Sequence, residues 1–281
     1  MSSALFAPPT REGLAEHHPE WRPWLALLDV VSSEASVTAW TEAVPDDRAA
    51  STPVLAGCVL PMKGAVVERC IRRLFAASGV AALQTAADRI DALAVLEAAV
   101  NLDTPRLTAL AEEAAAPSDA FAAVATLVAL PWLEACGRRL PRAVSAESGW
   151  CPVCGAWPIL AEARGLEGER RLRCARCGGD WRTQWLTCPY CGTDDHTRLT
   201  SLVAEGTGQS RKIEACRDCT GYVKTVTTLT AADAAALRLL DLSTVDLDVA
   251  ALERGYMRPG GLGHPLGVRV IERPARRFWR R

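Results

Sequence analysis

Apolar residues recur at three- and four-residue steps through much of the first half of the chain. They do so in four stretches rich in Ala, Leu, Val, Glu and Arg, at 66–77, 81–100, 104–116 and 118–139. This spacing places the apolar side chains on one face of an α-helix. Pro105, Pro117 and Pro131 favour two helix starts and a break in the last helix. We therefore predict an N-terminal helical bundle, with 40–61 as a connection containing short helical pieces.

The pattern changes near residues 145–149, where alanine becomes rarer and Gly, Trp, Arg and Thr become frequent. Short alternating or β-branched runs between glycine-bearing turns then predict strands at 157–163, 170–173, 198–204, 211–215 and 222–228. Helical spacing returns at 231–242 and 245–254, before a Gly/Pro-rich stretch at 259–267. The predicted fold is α+β with four segments: a helical domain (1–148), two tandem rubredoxin-like or zinc-ribbon modules (149–186 and 187–230), and a helical/loop tail (231–281).

Composition limits the class of protein. The 281 residues are 49% hydrophobic and 23% charged, which is typical of a soluble globular protein and excludes an intrinsically disordered one. No run approaches the roughly 18 uninterrupted apolar residues of a membrane span. Residues 1–10 lack a basic segment followed by an apolar one, so no secretory signal is indicated. We therefore expect a cytoplasmic protein.

The charges are unevenly distributed although they nearly cancel. The net charge of −1 combines −6 in residues 1–149 with +2 in 150–230 and +3 in 231–281. A nucleic-acid partner is recognised mainly through a strongly basic surface. The balance therefore makes nucleic acid an unlikely partner for the chain as a whole.

Cysteine is the candidate chemistry of the second half. Eight of the 11 cysteines form four C-x-x-C pairs: Cys151/Cys154, Cys174/Cys177, Cys188/Cys191 and Cys216/Cys219. The first and third pairs read C-P-x-C-G, and each is followed by a strand, a glycine turn, a strand and another pair. In a reducing compartment such cysteines are expected to be metal ligands or redox groups in preference to disulfides. The region is therefore an internal repeat of two metal-binding modules.

The spacing also predicts how the metals are held. Two thiolates in a tight turn grip one metal ion, and a hairpin brings a second such turn opposite the first to complete a tetrahedral S₄ site. The simplest arrangement is one site per module; pairing Cys151/Cys154 with Cys188/Cys191 would need a crossed topology. Spacing does not separate zinc from rubredoxin-type iron. Four sulfurs leave no open coordination position, which argues against a hydrolytic metalloenzyme.

The other reactive residues have simpler interpretations. Free cysteine behaves as a small hydrophobic residue, so three cysteines are interpreted as structural thiols: Cys58, Cys70 and Cys136. Three histidines are interpreted as solvated residues: His17, His18 and His196. Four tryptophans are expected to cover the metal modules: Trp150, Trp157, Trp181 and Trp185. The roles of His264 and of the arginine-rich tail, 273–281, stay open.

This combination resembles the formate dehydrogenase accessory protein FdhE family. The resemblance is carried by the segments 171–174 and 214–224 with Trp181, by the C-terminal segments 239–242 and 253–258, and more weakly by 53–57. Two places depart from the family pattern: His264-Pro265 stands where Asn-Pro is usual, and Trp185-Leu186-Thr187 precedes the third pair where a basic residue is common. Neither change touches a predicted metal ligand.

The resemblance implies a maturation factor and not an enzyme. Such a cytoplasmic protein binds the molybdenum-containing catalytic subunit of formate dehydrogenase, is needed for its activity, and carries rubredoxin-like iron sites. Two alternatives remain: a zinc-ribbon protein that binds nucleic acid, and a rubredoxin-like redox or electron-transfer protein. A homodimer is compatible with the sequence.

Overall fold

The structure is a computed structural model that describes residues 9–45, 52–140, 149–203 and 210–273. The chain divides into two compact units. One, the ribbon unit, comprises Met1–Arg22, Asp47–Leu55 and Gly137–Pro265; the other, the helical unit, comprises Pro23–Asp46, Ala56–Cys136 and Leu266–Arg281. The four segments predicted from the sequence stay a prediction of domain organisation.

The described residues form helices and strands in the following order. The helices are α1 (Arg11–His17), α2 (Arg22–Glu34), α3 (Thr38–Glu42), α4 (Gly64–Ala77), α5 (Ala81–Ala86), α6 (Ala92–Asn101), α7 (Thr104–Glu113), α8 (Ser118–Ala125), α9 (Leu130–Arg139), α10 (Ala234–Ser243) and α11 (Val245–Leu252). The strands are β1 (Val59–Met62), β2 (Leu160–Arg164), β3 (Glu169–Arg173), β4 (Asp180–Arg182), β5 (Leu199–Val203), β6 (Arg211–Cys216), β7 (Tyr222–Thr228) and β8 (Arg269–Glu272). Two short 3₁₀ helices lie at Pro19–Trp21 and Thr126–Ala129. The predicted α+β class is confirmed.

Two of the predicted helical stretches are interrupted. The stretch at 81–100 consists of α5 and α6, because the Asp91 side chain caps the second helix by accepting hydrogen bonds from the backbone N–H groups of Leu93 and Ala94. The stretch at 118–139 consists of α8, a 3₁₀ turn and α9. That turn ends just before Pro131, whose missing N–H and ring disfavour a continuous helix.

The helical unit has a closely packed apolar core. Phe75 and Phe121 meet edge to face with ring centroids 5.5 Å apart. Trp132 is fully buried, and its indole N–H donates to the Ala43 carbonyl at 3.0 Å. The stretch Ser118–Arg139 is long and apolar enough to cross a membrane, but 72% of its most apolar window is buried inside the protein. That degree of burial is typical of a core helix.

A buried ion cluster lies beside this core. Both Glu34 carboxylate oxygens are paired, one with Arg73 Nη1 at 2.5 Å and the other with Arg69 Nη2 at 3.1 Å, and the Glu34 side chain is fully buried. The Trp40 indole also donates to Glu34, at 3.4 Å. These bonds satisfy a carboxylate that would otherwise be costly to bury. The cluster ties α2 to α3 and α4.

A short parallel sheet that the sequence did not predict completes the helical unit. Strand β1 pairs with β8 in register from Val59↔Arg269 to Met62↔Glu272. The chain therefore returns from the ribbon unit to the helical unit for its last described strand. Asn101 fixes the approach to this strand, because its side chain accepts from the N–H of Val268 and donates to the Val268 carbonyl.

The ribbon unit is built on a six-stranded sheet with the order β4-β3-β2-β7-β6-β5. Strands β2 to β4 form one antiparallel meander and β5 to β7 form a second. The two meanders are joined by parallel pairing of β2 with β7, for example at Leu160↔Lys224. The two predicted modules are therefore halves of one continuous sheet.

Helices α10 and α11 pack on one face of this sheet. The buried Lys224 reaches between them and donates to Asp241 at 2.7 Å and to Asp248 at 2.8 Å. Arg258 binds the same two carboxylates, and Tyr222 donates to Asp248. The C-terminal segments noted in the sequence, 239–242 and 253–258, thus contribute a buried polar network that attaches the helices to the second meander.

Candidate metal centres

The structure brings the eight paired cysteines into two groups of four. Within each group the sulfur atoms all lie within 4.8 Å of one another. The first centre contains the pairs of the first module, and the second centre contains those of the second: Cys151, Cys154, Cys174 and Cys177, then Cys188, Cys191, Cys216 and Cys219. This is the one-per-module grouping, and the crossed alternative is not observed. No disulfide links any of the eleven cysteines.

The sulfur separations fit a tetrahedral metal site. In the first centre Cys151 lies 3.5 Å from Cys177, and Cys154 lies 3.4 Å from Cys174. The corresponding distances in the second centre are 3.6 and 3.7 Å. A metal ion with four sulfurs at about 2.3 Å would separate them by about 3.8 Å, whereas a disulfide requires about 2.05 Å. Either centre could hold one zinc or iron ion.

Each cysteine pair lies in a tight turn that the local sequence explains. In the first turn the N–H of Gly155 donates to the Cys151 carbonyl at 2.8 Å, and the N–H of Cys151 donates to the Ala156 carbonyl at 2.8 Å. Gly155 has φ +65°, a conformation that glycine adopts without steric cost. A Cβ atom there would also approach the His264 carbonyl to 2.5 Å. The glycine is therefore required by both conformation and packing.

The fourth turn departs from this pattern. The position occupied by glycine in the other three turns is Thr220, which has φ +54°. The next residue, Gly221, donates its N–H to Cys219 Sγ at 3.4 Å and accepts at its carbonyl from the N–H of Cys216 at 2.9 Å. A β-branched residue in this conformation is strained. The second centre therefore has a strained turn on one side.

The two centres differ in their exposure to solvent. All four cysteines of the first centre are buried, none exceeding 2% exposure. In the second centre Cys191 is exposed and Cys219 is half-buried, while Cys188 and Cys216 are buried. The first centre is therefore enclosed by protein, and the second faces solvent on one side.

The pKa values of the cysteine thiols indicate whether the two centres require a bound cation. Burial raises the pKa of the Cys151 thiol well above its ordinary value and raises that of Cys219 to about 11. Hydrogen bonds from the neighbouring thiols lower the pKa of Cys174. Burial alone would raise the pKa of Cys216, but hydrogen bonds from backbone N–H groups lower it. Four thiolates in such a volume require a cation to offset their charge.

Three of the four tryptophans noted in the sequence lie against the modules. Trp181 is fully buried in β4. The Trp157 ring lies 5.4 Å from that of Tyr190, which belongs to the third turn. The Trp150 ring lies 5.0 Å from that of His264, whose backbone N–H donates to the Gly155 carbonyl at 3.0 Å. His264 therefore supports the first turn through its backbone and its ring.

The fourth tryptophan, Trp185, is 48% exposed. It lines an open cavity of about 180 Å³ in the ribbon unit. Leu186, which is 64% exposed with φ +59°, lines the same cavity. Cys188 and Cys216 of the second centre also line it. Sequence reasoning missed this cavity. Its only sequence signal was the segment at 185–187, which departs from the family pattern.

The remaining candidates lie away from both centres. His17 and His196 are exposed, and His18 contacts Glu20 and stacks on Trp21. Cys70 is fully buried in α4, and burial raises the pKa of its thiol to about 12, as expected for a structural thiol. Cys58 and Cys136 also lie outside the two groups. Of the arginine-rich tail only Arg273 is among the described residues, and it pairs with Glu42.

Comparison with known proteins connects this arrangement to a family. No family model matches the chain. Three curated relatives, each described as a protein FdhE homolog, match segments of it. The protein from Stutzerimonas stutzeri is 38% identical over 111 residues, that from Aquifex aeolicus 30% over 112, and that from Edwardsiella ictaluri 31% over 153. These segments cover 38%, 39% and 52% of this chain and 35%, 39% and 48% of the relatives.

A solved structure extends the comparison to most of the chain. The crystal structure of the FdhE protein from Pseudomonas aeruginosa matches with a TM-score of 0.51 and 21% identity, over 92% of this chain and 98% of that one. The resemblance to the FdhE family is confirmed. At this identity the crystal structure supports the fold alone. Since the sequence matches span less than half of the curated relatives, the activity and partners of FdhE proteins are considered below as proposals.

Proposed function

We propose that this protein is a cytoplasmic accessory factor for formate dehydrogenase, acting through binding and not as an enzyme. The observation that carries the proposal is the resemblance to FdhE proteins, together with two sets of four cysteines that could each hold a metal ion. Sites closed by four sulfurs offer no position for a substrate. Their contribution is a rigid, metal-supported surface for a partner, and that partner is the molybdenum-containing catalytic subunit.

The eight cysteines are the proposed ligands of two zinc or rubredoxin-type iron ions. The sulfur separations and the enclosing turns suit either metal. When bound, the metal supplies a cross-link that holds each meander together, or one-electron redox chemistry if it is iron. This chain supplies thiolates positioned by four tight turns.

The metal assignment is tested by metal analysis and an absorption spectrum of anaerobically purified protein. Ferric S₄ iron is coloured, whereas zinc is not. Two metal ions per chain are expected, and Cys154→Ser or Cys191→Ser should each remove about one. Cys58→Ser is the control and should keep both. Full metal content in both ligand variants would contradict the assignment.

The accessory role is tested in a host that makes formate dehydrogenase. Deleting the gene for this protein should abolish or strongly reduce formate dehydrogenase activity, although the catalytic subunit is still made. The wild-type chain and Cys58→Ser should restore activity, and Cys154→Ser should not. A pull-down with the wild-type chain should recover the catalytic subunit. Normal activity in the deletion strain would contradict the role.

Electron transfer is the second candidate, and one observation favours it. Cys191 is exposed, so a redox-active metal at the second centre would lie close to solvent and to an electron partner. The measurement that separates the candidates is the metal itself. An iron-loaded second centre that is reduced and reoxidised reversibly would support electron transfer, whereas a zinc-loaded one would exclude it.

A further inference from the structure

The outer edge of the six-stranded sheet has the features of a docking site. Strand β5 is the outermost strand at one side of this sheet, and within the described residues it pairs only with β6. Its sequence, Leu-Thr-Ser-Leu-Val, contains no charge and no proline. Proteins usually protect such an edge with lysine, proline or a bulge, because unpaired backbone groups recruit another strand. Residues 199–203, the described part of this edge, have none of these protections.

The backbone groups that face outward can be identified from the register. Arg217 N–H donates to the Arg198 carbonyl, so 198 and 217 form a hydrogen-bonded pair in the β5–β6 ladder. Hydrogen-bonded and non-hydrogen-bonded pairs alternate along antiparallel strands. Thr200 and Leu202 therefore bond to β6, while Leu199, Ser201 and Val203 direct their N–H and C=O groups away from the sheet.

The cavity beside Trp185 lies next to this edge. Leu199, Thr200 and Ser201 of β5 line it together with Trp185, Leu186 and Tyr190. Its volume of about 180 Å³ exceeds the roughly 150 Å³ of an apolar protein cavity that admits benzene. It can therefore receive a large apolar side chain that projects from a strand laid along β5.

The charges at one end of the edge favour an acidic neighbour. Lys212 lies opposite Val203 in the register, contacts Glu214 at 3.3 Å, and sits 5.5 Å above the Trp185 ring. Arg170 binds the same carboxylate at 2.9 Å, so two cations share one anion. Cys216 of the second centre lies opposite Leu199, four residues along the strand from the Val203–Lys212 pair. That separation is roughly 13 Å. The negative charge of the second centre is therefore largely screened at Lys212, since the screening length is about 8 Å in physiological salt. Among the described residues the local excess is therefore positive.

We propose that the β5 edge and the Trp185 cavity bind an extended segment of the client polypeptide. The segment adds a seventh strand to the sheet, inserts a large apolar side chain into the cavity, and carries an acidic residue near Lys212. Main-chain bonds supply affinity and the pocket supplies specificity in this mode of recognition. The inference rests on the proposed function, since the client is the catalytic subunit of formate dehydrogenase.

Two variants test the edge and the cavity separately. Ser201→Pro removes one outward N–H without removing a β5–β6 bond, because proline is tolerated where an edge N–H faces solvent. Ser201→Ala keeps that N–H and loses only the hydroxyl group, so it is the reference with which Ser201→Pro is compared. Trp185→Ala removes one wall of the cavity, and Trp24→Ala removes a similarly exposed tryptophan of the helical unit. All four variants should retain both metals.

The measurement is binding of the purified catalytic subunit to the immobilised full-length chain. Ser201→Pro and Trp185→Ala should each raise the dissociation constant about tenfold or more. A tenfold increase corresponds to a loss of about 1.4 kcal/mol in binding free energy. Trp24→Ala should bind like the wild type, and Ser201→Pro should bind more weakly than Ser201→Ala. Hydrogen exchange should also show new protection of β5 in the complex.

The possible failures are distinguishable. Equal binding by all variants would overturn the docking site and leave the accessory role intact. No binding of the subunit to the wild-type chain would overturn both. If Ser201→Pro instead separates a dimer into monomers without changing client binding, the edge belongs to a second copy of the chain and the proposal is wrong.

Discussion

Single residues determine how well each cysteine turn is formed, and the second module contains a matched pair of them. Gly192 and Thr220 occupy the same position in the third and fourth turns, with φ +78° and +54°. A Cβ atom at Gly192 would meet no atom within 4 Å. Exchanging these residues therefore changes backbone strain with little change in packing.

Thr220→Gly is expected to stabilise the ribbon unit by about 1 kcal/mol, because relief of left-handed strain exceeds the added entropy of the unfolded chain. Gly192→Thr should destabilise it by a similar amount or more. Thermal unfolding of the metal-loaded protein measures both changes. If both variants shift the melting temperature in the same direction, backbone strain is not the cause.

Glu34 makes the stability of the helical unit depend on pH in a predictable direction. Burial alone would raise its pKa, but hydrogen bonds from Arg73 and Arg69 lower it below the ordinary value of 4.5. A carboxylate whose pKa is lowered by folding stabilises the protein above pH 4.5. That stabilisation is lost as the pH falls through the pKa of the group in the folded protein. Glu34→Gln should therefore cost about 2 kcal/mol at pH 7.

The measurement is the free energy of unfolding of the wild type and Glu34→Gln between pH 7 and pH 3. The difference between them should stay constant down to about pH 4.5 and shrink at lower pH. Glu112→Gln is a suitable control, since that residue occupies an exposed position of α7 in the same unit. A difference that grows as the pH falls would contradict this assignment.

At the scale of single residues, the sequence identified the candidate ligands but not their environments. The eight cysteines were found because C-x-x-C spacing follows directly from the geometry of a metal-binding turn. Their grouping by module was the simplest option and is the observed one. The exposure of Cys191 was not predictable, because it depends on segments distant in sequence that cover one centre and not the other. The role of His264 was missed for the same reason.

At the scale of elements, local patterns found most helices and strands but not the contacts between distant ones. The strands at 170–173, 211–215 and 222–228 were predicted within one residue of their observed bounds. Strands β1 and β8 were missed, since each is four residues long and its partner lies about 210 residues away along the chain. The parallel β2–β7 contact was missed as well, because spacing reveals the repeat but not how its halves join.

The difference in burial between the two centres predicts two rates of metal release. A chelator reaches a solvent-facing centre directly, whereas an enclosed centre must first open by local unfolding. One metal ion per chain should therefore leave at least about tenfold faster than the other in excess chelator. The fast ion is expected to come from the second centre, where Cys191 is exposed.

A chromophoric chelator records both phases in one experiment. Cys191→Ser should remove the fast phase and Cys154→Ser the slow one, while Cys70→Ala, in the helical unit, should keep both. Release of both ions in a single phase, or loss of the slow phase in Cys191→Ser, would show that burial does not control the release.

At the scale of the whole molecule, the two units rely on different sources of stability. The helical unit has the apolar core around Phe75, Phe121 and Trp132, and within the described residues it contains no group of cysteines that could hold a metal. In the ribbon unit the sheet carries both candidate centres, and its apolar residues lie in small clusters beneath α10 and α11, such as Leu160, Val226, Leu237 and Leu240. Metal binding should therefore supply much of the folding free energy of the ribbon unit.

Metal removal is accordingly expected to unfold the ribbon unit before the helical unit. After strong chelation, the near-ultraviolet circular dichroism should weaken, because Trp181 loses its buried environment while Trp40 and Trp132 of the helical unit keep theirs. Most of the far-ultraviolet helical signal should persist. Cys154→Ser should lower the melting transition of the ribbon unit alone. Phe121→Ala, which removes a fully buried core side chain at a cost of about 3–5 kcal/mol, should lower the helical transition and leave the metal content unchanged. A single transition that shifts equally in both variants would contradict this division, because it would mean that metal binding and the apolar core stabilise one cooperative structure.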